Sequence, residues 1–132
     1  MPDSEEERSD AEKEHWNQFQ ANQSLREDFG FLENAMMSVP TGWVPIVRKL
    51  CEDVEEIDVG IDVHQIKEKF GSIRFYYTTL SSREDINELI KDAQSQAKRT
   101  CQRCGEPGED RSVNNWITVL CNDCYKDSTA NE

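Results

Sequence analysis

Four cysteines lie close together near the end of the chain, in the stretch CQRCGEPGEDRSVNNWITVLCNDC at residues 101–124. They form two Cys-x2-Cys pairs, Cys101 with Cys104 and Cys121 with Cys124, and sixteen residues separate the pairs. This spacing is typical of a site in which four thiolates hold one zinc ion. Because four thiolates complete the tetrahedron and leave no position for a water nucleophile, the sequence predicts one structural Zn²⁺ and not a catalytic ion.

Two further chemistries use cysteines in this arrangement. Iron also binds in a tetrahedron of sulfur ligands, so the ligand type leaves iron as an alternative to zinc. A redox-active Cys-x2-Cys pair is disfavoured, because one shared metal ion explains two such pairs more simply. The acidic N-terminus has no apolar signal segment, which indicates a reducing intracellular compartment where clustered cysteines bind metals more often than they form disulfides.

The residues around the cysteines indicate how they are held. Gly105 directly follows the first pair and suits a turn that needs a positive φ. Between the pairs, the segment SVNNWITVL predicts a short hairpin that turns at Asn114-Asn115. Residues 100–132 are therefore predicted to form a zinc-binding module, either a zinc ribbon or a treble-clef-like module.

The chain offers little for catalysis beyond the cysteines. His64 lies among Asp58, Asp62 and Glu68, a group that we interpret as a solvated strand face. The chain lacks the H-x-E pattern of zinc deaminases and the H-E-x-x-H helix of metalloproteases. It also lacks a P-loop and the dinucleotide-binding glycine pattern. The sequence therefore predicts a binding protein and not an enzyme.

Apolar residues at helical spacing predict three helices that position these groups. Ser24 with Glu27, and Ser81 with Glu84, form capping boxes for the first and the third helix. Cys51 lies beside the second apolar stripe and is interpreted as a small buried hydrophobe. The three stripes are Leu25, Phe29, Leu32 and Met36; then Trp43, Ile46, Val47, Leu50 and Val54; then Ile86, Leu89, Ile90, Ala93 and Ala97.

Between the second and the third helix, the apolar period changes from 3.6 to 2, which is the period of a strand. Two such runs predict an antiparallel hairpin, with Gly71 supplying the positive φ that its turn needs. The fold class is therefore α+β, with helices packed on a small antiparallel hairpin or sheet and the metal module at the C-terminus. The predicted core residues of the hairpin are Ile57, Val59, Ile61 and Val63, and Ile73, Phe75 and Tyr77.

The stretch KEKFGSIRFYY, which spans the turn of this hairpin and the second strand, mixes cations with aromatic residues. Nucleic-acid-binding surfaces often have this composition. The strand alternation instead assigns Phe75 and Tyr77 to the core, so an amphipathic hairpin explains most of the motif. The residues predicted to face outward and to bind a partner are Lys67, Lys69, Arg74 and Tyr76.

The formal net charge of −12 limits the classes of partner. Residues 1–14 carry seven acidic and two basic side chains and are predicted to be a disordered acidic arm. Residues 15–99 are predicted to form the α+β body, beginning with a short helix around Trp16 and Phe19. No segment is basic, which disfavours a general DNA or RNA binder. No apolar run approaches the length of a membrane span, so we expect no membrane association.

Taken together, GWVPIVRKL, IKEKFGSIRFYY, the following helix and the cysteine segment resemble a group of small, uncharacterised zinc-ribbon-containing accessory proteins of tailed phages and prophages. The resemblance covers roughly residues 41–125. It implies a zinc-bearing accessory protein in the cytoplasm of a bacterial host cell, and it implies no particular activity. A more distant similarity is to DksA/TraR-type transcription regulators, although this sequence has strands where that family has a long coiled-coil pair.

Two classes of function remain. The first is a protein-binding module, an inhibitor or adaptor that acts on a host or phage protein. One form of it is an acidic surface that imitates nucleic acid and occupies a DNA-binding partner, for example in anti-defence. The second is a nucleic-acid-binding transcriptional regulator. The acidity and the closed metal site favour the first class.

Overall fold

The computed structural model describes residues 10–80 and 84–130. In this part of the chain the order is α1 (Asp10–Asp28), β1 (Met36–Ser38), α2 (Val44–Ile57), β2 (Asp62–Lys69), β3 (Ser72–Thr78), α3 (Glu84–Ala97), β4 (Glu109–Val113), β5 (Trp116–Leu120) and α4 (Asn122–Ala130). Short 3-10 turns lie at Gly30–Leu32 and Thr41–Trp43. The predicted α+β class is confirmed.

The body is a three-stranded sheet with helices on one face. The strand order is β1-β2-β3, with β2 and β3 antiparallel and β1 parallel to β2. α2 and α3 pack against each other, and α3 packs on β3. The helices and the inner face of the sheet bury one core: Leu25, Phe29, Leu32, Val39, Trp43, Val47, Leu50, Cys51, Val54, Ile61, Val63, Ile66, Ile73, Phe75, Ile86, Ile90, Ala93 and Ala97.

The β2–β3 hairpin turns at Phe70 and Gly71, whose φ angles are +52° and +77°. Two positive φ angles in a two-residue loop match the right-handed twist of the flanking strands. The predicted role of Gly71 is confirmed. A register shift between Val63 and Gln65 interrupts the alternation, so that Val63 and Ile66 are both buried although three positions separate them.

The helix predicted across residues 24–36 is wrong. α1 already begins at Asp10 and ends at Asp28, and Phe29 is extended, with φ −126° and ψ +109°. The helical stripe in the sequence spans a helix end, a 3-10 turn and a loop, and all three bury their apolar residues in the same core. Met36 belongs to β1 and is 68% exposed. Gly30, directly after the break, gives the chain no propensity to continue the helix.

The strand predicted from Ile57 is also partly wrong. α2 continues through Ile57, and Val59 lies in the following turn with 74% of its surface exposed. Ile61 and Val63 are buried as predicted. Asp58 accepts a hydrogen bond from the backbone N–H of Gly60 at 3.0 Å, which holds the chain in a turn instead of a strand.

α1 contains Trp16 and Phe19, which stack with ring centroids 5.7 Å apart. Residues 10–14 of the predicted acidic arm are therefore helical, while residues 1–9 of that arm lie outside the described residues. The predicted Ser81 cap of α3 also lies outside them. Among the described helices, none is both long and apolar enough to cross a membrane.

Side chains from the helices bind main-chain groups directly beside β1 and in the edge strand β3. Asn22 of α1 accepts from the N–H of Val39 and donates to its carbonyl, each at 2.9 Å. Arg26 donates to the carbonyl of Ala35 at 2.8 Å. On the opposite edge, Gln94 of α3 donates to the carbonyl of Ile73 at 2.9 Å. These bonds fix both α1 and α3 against the sheet.

Candidate metal centre

The first cysteine pair lies in a tight turn that follows α3. The N–H of Cys101 donates to the carbonyl of Glu106 at 2.7 Å, and the N–H of Gly105 donates to the carbonyl of Cys101 at 3.0 Å. Gly105 has a φ of +83°, as its place after the pair predicts. The turn therefore presents the side chains of Cys101 and Cys104 on the same side.

The second pair is carried back by the β4–β5 hairpin, which turns at Asn114 and Asn115 as predicted. Their φ angles are +53° and +65°, values that asparagine tolerates better than most residues. Cys121 directly precedes α4, and Cys124 lies in its first turn. A turn, a hairpin and a helix that begins within the second pair correspond to the treble-clef-like module, which the sequence predicts as the alternative to a zinc ribbon.

The four sulfur atoms form one cluster. All of them lie within 4.8 Å of one another, and the sulfurs of Cys104 and Cys121 are 3.7 Å apart. A metal–sulfur bond of about 2.3 Å places the ligands of a tetrahedron about 3.8 Å apart. The cluster therefore has the dimensions of a metal site, and the four cysteines can hold a metal ion.

Electrostatics around the thiols also favour a cation. Burial raises the pKa of Cys101, but N–H groups of Cys104, Cys121 and Arg103 donate to its sulfur and lower that pKa to about 7. Burial and then the neighbouring thiols raise the pKa of Cys124 well above its ordinary range. Four adjacent thiolates repel one another, so full ionisation of the cluster needs a positive ion at its centre.

Arg103 connects the cluster to two helices. Its guanidinium forms ion pairs with Glu14 of α1 and, at 3.1 Å, with Asp127 of α4. It also approaches the carbonyl of Cys124 at 3.5 Å. Both carboxylates are more than half exposed, so each pair contributes at most about 1 kcal/mol. Nothing in the sequence around Arg103 indicates these distant partners.

The metal module packs tightly on the body at Gly42. The N–H of Gly42 donates to the carbonyl of Gln102 at 2.7 Å. A Cβ on Gly42 would lie 2.1 Å from the carbonyl oxygen of Cys101 and 2.7 Å from the nitrogen of Gly105. Only a residue without a side chain fits there. The sequence shows Gly42 as part of a turn, and no sequence signal indicates this contact.

The predicted partner-binding residues come together on the outer face of the sheet. Lys67 pairs with Arg74 across β2 and β3, and Lys69 and Tyr76 lie on the same face. Lys69 is exposed and Tyr76 is 47% exposed. Arg74 is less exposed than predicted: it is half-buried, and its Nε is buried without a hydrogen-bond partner among the described residues.

The acidic residues around His64 do not form a site. His64 bonds to the hydroxyl of Thr78 and lies 3.9 Å from Asp62. Asp58 binds the backbone of Gly60, and Glu68 accepts from the N–H of Gly71 at 2.9 Å. Asp58 and Glu68 therefore serve turns at opposite ends of β2, as expected for a strand face and its loops.

Cys51 is fully buried in α2, as predicted. Burial raises the pKa of its thiol to about 12. A neutral thiol without exposure is inert toward nucleophilic chemistry. Cys51 therefore packs as a small apolar side chain and is separate from the four-cysteine cluster.

The sequence matches no protein-family model, and comparison with curated proteins and with solved structures gives no match. The resemblance to phage and prophage accessory proteins therefore remains an expectation drawn from the sequence motifs.

Proposed function

We propose that this protein is a zinc-stabilised protein-binding module that acts as an accessory inhibitor or adaptor, of phage or bacterial origin, on a protein partner. The ion is structural, because four cysteines fill the tetrahedron of zinc and leave no position for a substrate. The chain then acts through its surface and not through catalysis.

One observation carries the proposal: the outer face of the sheet concentrates cations in a strongly acidic chain. Lys67, Lys69 and Arg74 lie side by side on β2 and β3, and none forms an ion pair with a described residue. Tyr76 adds an exposed ring to the same face. Tyrosine and arginine are enriched among residues that dominate binding energy at protein interfaces. We call Lys67, Lys69, Arg74 and Tyr76 the cationic face.

The helices on the other side of the sheet are acidic. Their exposed carboxylates are Glu52, Glu55, Glu56, Glu84, Asp85, Glu88 and Asp92. Because opposite sides of the body carry opposite charge, an acidic patch on a partner is attracted to the cationic face and repelled by the helical side. Charge complementarity therefore orients the partner.

The test is capture of the partner from the native host, with and without nuclease, followed by mass spectrometry. The double variant Lys69→Ala and Tyr76→Ala should lose the captured protein and keep its metal content and thermal midpoint, since both side chains are exposed. We prefer Lys69 to Arg74 for this variant because Arg74 is half-buried. Retention of the partner by the double variant contradicts the proposed surface, and nuclease-sensitive recovery favours the transcriptional regulator.

The acidic helical side supports a second candidate, imitation of nucleic acid. Exposed carboxylates on two adjacent helices can occupy the phosphate-binding surface of a basic partner. The triple variant Glu52→Gln, Glu55→Gln and Glu56→Gln removes three of these charges while preserving side-chain size. Loss of the captured partner in this variant, with retention in the Lys69 and Tyr76 variant, would favour imitation of nucleic acid.

A further inference from the structure

An exposed aromatic cluster lies where the body meets the metal module. The rings of Phe70, at the tip of β2–β3, and Trp116, at the start of β5, have centroids 5.1 Å apart. Phe70 is 50% exposed, Trp116 is 49% exposed, and Ile117 beside them is 43% exposed. We call these three residues the aromatic tip. Each module supplies part of it, so the surface exists only when both are folded.

The backbone conformation at Phe70 does not favour an aromatic residue at this position. Its φ of +52° lies in the left-handed region, where bulky side chains are rare and asparagine or glycine is preferred. The ring does not offset this cost by burial in the core, because half of its surface is exposed. Gly71 already lies close to the metal module, since a Cβ added to it would be 3.1 Å from Ile117 and 3.6 Å from Val119.

The aromatic tip is continuous with the cationic face. The ammonium group of Lys69 lies 5.8 Å from the centroid of the Phe70 ring, within the range of a cation–π contact. Lys69 is on the same face of the hairpin as Lys67, two residues earlier. The two surfaces therefore form one stretch, with apolar rings at the tip and positive charge along the strands.

We propose that this combined surface binds an acidic protein segment with an apolar or aromatic anchor residue, the anchor seated against Phe70 and Trp116 and the carboxylates over Lys67, Lys69 and Arg74. The inference rests on the proposed function and names the chemistry of its partner. A small apolar cluster beside complementary charge is the composition of a binding hot spot.

The surroundings of the tip favour a peptide over a nucleic acid. Asp110 lies beside Gly71, where its carboxylate oxygen would be 3.4 Å from a Cβ added to that glycine, and Glu109 precedes Asp110 on β4. A nucleic-acid strand carries a charge at every nucleotide and would set phosphates against these carboxylates as it passes the tip. A peptide can place an uncharged side chain there and its acidic residues farther along the face.

The experiment is selection of a random peptide display library against the metal-loaded full chain, with the selected peptides then synthesised for affinity measurement. We expect the peptides to combine aspartate or glutamate with one leucine, phenylalanine or tryptophan. Phe70→Asn and Trp116→Ala should each weaken binding at least tenfold. Phe70→Asn suits the left-handed turn, so its thermal midpoint should equal or exceed that of the wild type while binding is lost. A single-stranded oligonucleotide of twelve thymidines serves as the nucleic-acid probe.

The second exposed aromatic pair provides the matched control. Trp16→Ala and Phe19→Ala change rings of similar exposure on α1, a helix that contributes no residue to the aromatic tip or the cationic face, and should alter affinity less than twofold. If peptides bind with sensitivity to the Lys69 and Tyr76 variant but not to Phe70→Asn, the proposed function stands and this inference fails. If no acidic peptide is enriched over selection on the Phe70→Asn variant, or if the oligonucleotide binds more tightly than the peptides, the inference is overturned.

Discussion

The indole N–H of Trp43 donates a hydrogen bond to the carbonyl of Thr100 at 2.8 Å, one residue before the first cysteine of the metal cluster. Trp43 is completely buried in the core of the body. The same short segment provides Gly42, whose N–H binds the carbonyl of Gln102. The core of the body and the backbone around the first cysteine pair are thus connected directly, so the stability of the module and that of the body depend on each other.

The first prediction concerns loss of the metal. Cys104→Ser removes one ligand and should lower the metal content well below one ion per chain. Residues 100–130 should then lose protection from hydrogen exchange, because so short a segment has little core of its own. Elemental analysis and hydrogen exchange with mass spectrometry measure the two effects. Exchange should also rise around Trp43, through its bond to Thr100.

The matched control for that variant is Cys51→Ala, which removes the fifth cysteine but leaves the cluster intact. It should retain one metal ion per chain and full protection of residues 100–130. Full metal content in Cys104→Ser would show that the four thiols do not form one site.

The second prediction concerns the close contact at Gly42. Gly42→Ala introduces a methyl group against backbone atoms of residues 101–105, which cannot rotate away, and should lower the free energy of unfolding by about 3 kcal/mol. Gly30→Ala is its control, because no atom lies within 4 Å of the new Cβ. That variant should change stability by less than about 0.5 kcal/mol. Urea unfolding of both variants at saturating metal measures their free energies of unfolding. Equal values for Gly42→Ala and Gly30→Ala would contradict the prediction.

The third prediction concerns pH and Cys51. The pKa of its thiol is about 12 in the folded chain against an ordinary value of 9.0. Well below pH 9 the thiol is protonated in both states and contributes no pH dependence. Between pH 9 and 12 the unfolded chain loses this proton first, so the folded state loses stability as the pH rises. From pH 8 to 10 the wild type should lose on the order of 1 kcal/mol more stability than Cys51→Ala. Parallel pH dependence of the two proteins would contradict the burial of the thiol.

The fourth prediction concerns Asn22, whose amide binds both the N–H and the carbonyl of Val39. Asn22→Leu preserves the size of the side chain but leaves two main-chain groups without partners, and should cost about 2 to 4 kcal/mol. Gln20→Leu, at an exposed position of the same helix, should change stability by less than about 0.5 kcal/mol. Thermal unfolding compares them. A similar loss of stability in both variants would show that the added apolar side chain causes it, and not the loss of the hydrogen bonds to Val39.

The residues of the metal cluster could be predicted from the sequence because the signal is local. Two cysteines three positions apart share a turn, and the spacing between pairs leaves room for a hairpin. The turn glycines Gly71 and Gly105 were predictable for the same reason, since a positive φ is a property of one residue. Helices α2 and α3 were predictable because each gives a continuous apolar stripe at helical spacing in the sequence.

The remaining features depend on partners distant in the sequence. Leu25, Phe29 and Leu32 are buried as their spacing predicts, yet they belong to three different local structures. Strand β1 has three residues and pairs in parallel with β2, so no alternation reveals it. The contact between Gly42 and the first cysteine pair has no local pattern at all.

The occupied edges of the sheet have a consequence for self-association. An unpaired strand edge can template the addition of strands from other copies, which is the first step toward fibrils. Here Asn22 and Arg26 already bind main-chain groups of the segment around β1, and Gln94 binds Ile73 in β3. Another copy that added a strand at these groups would first have to displace those side chains. Strand addition at these groups is thereby disfavoured, even though the outer face of the sheet is open.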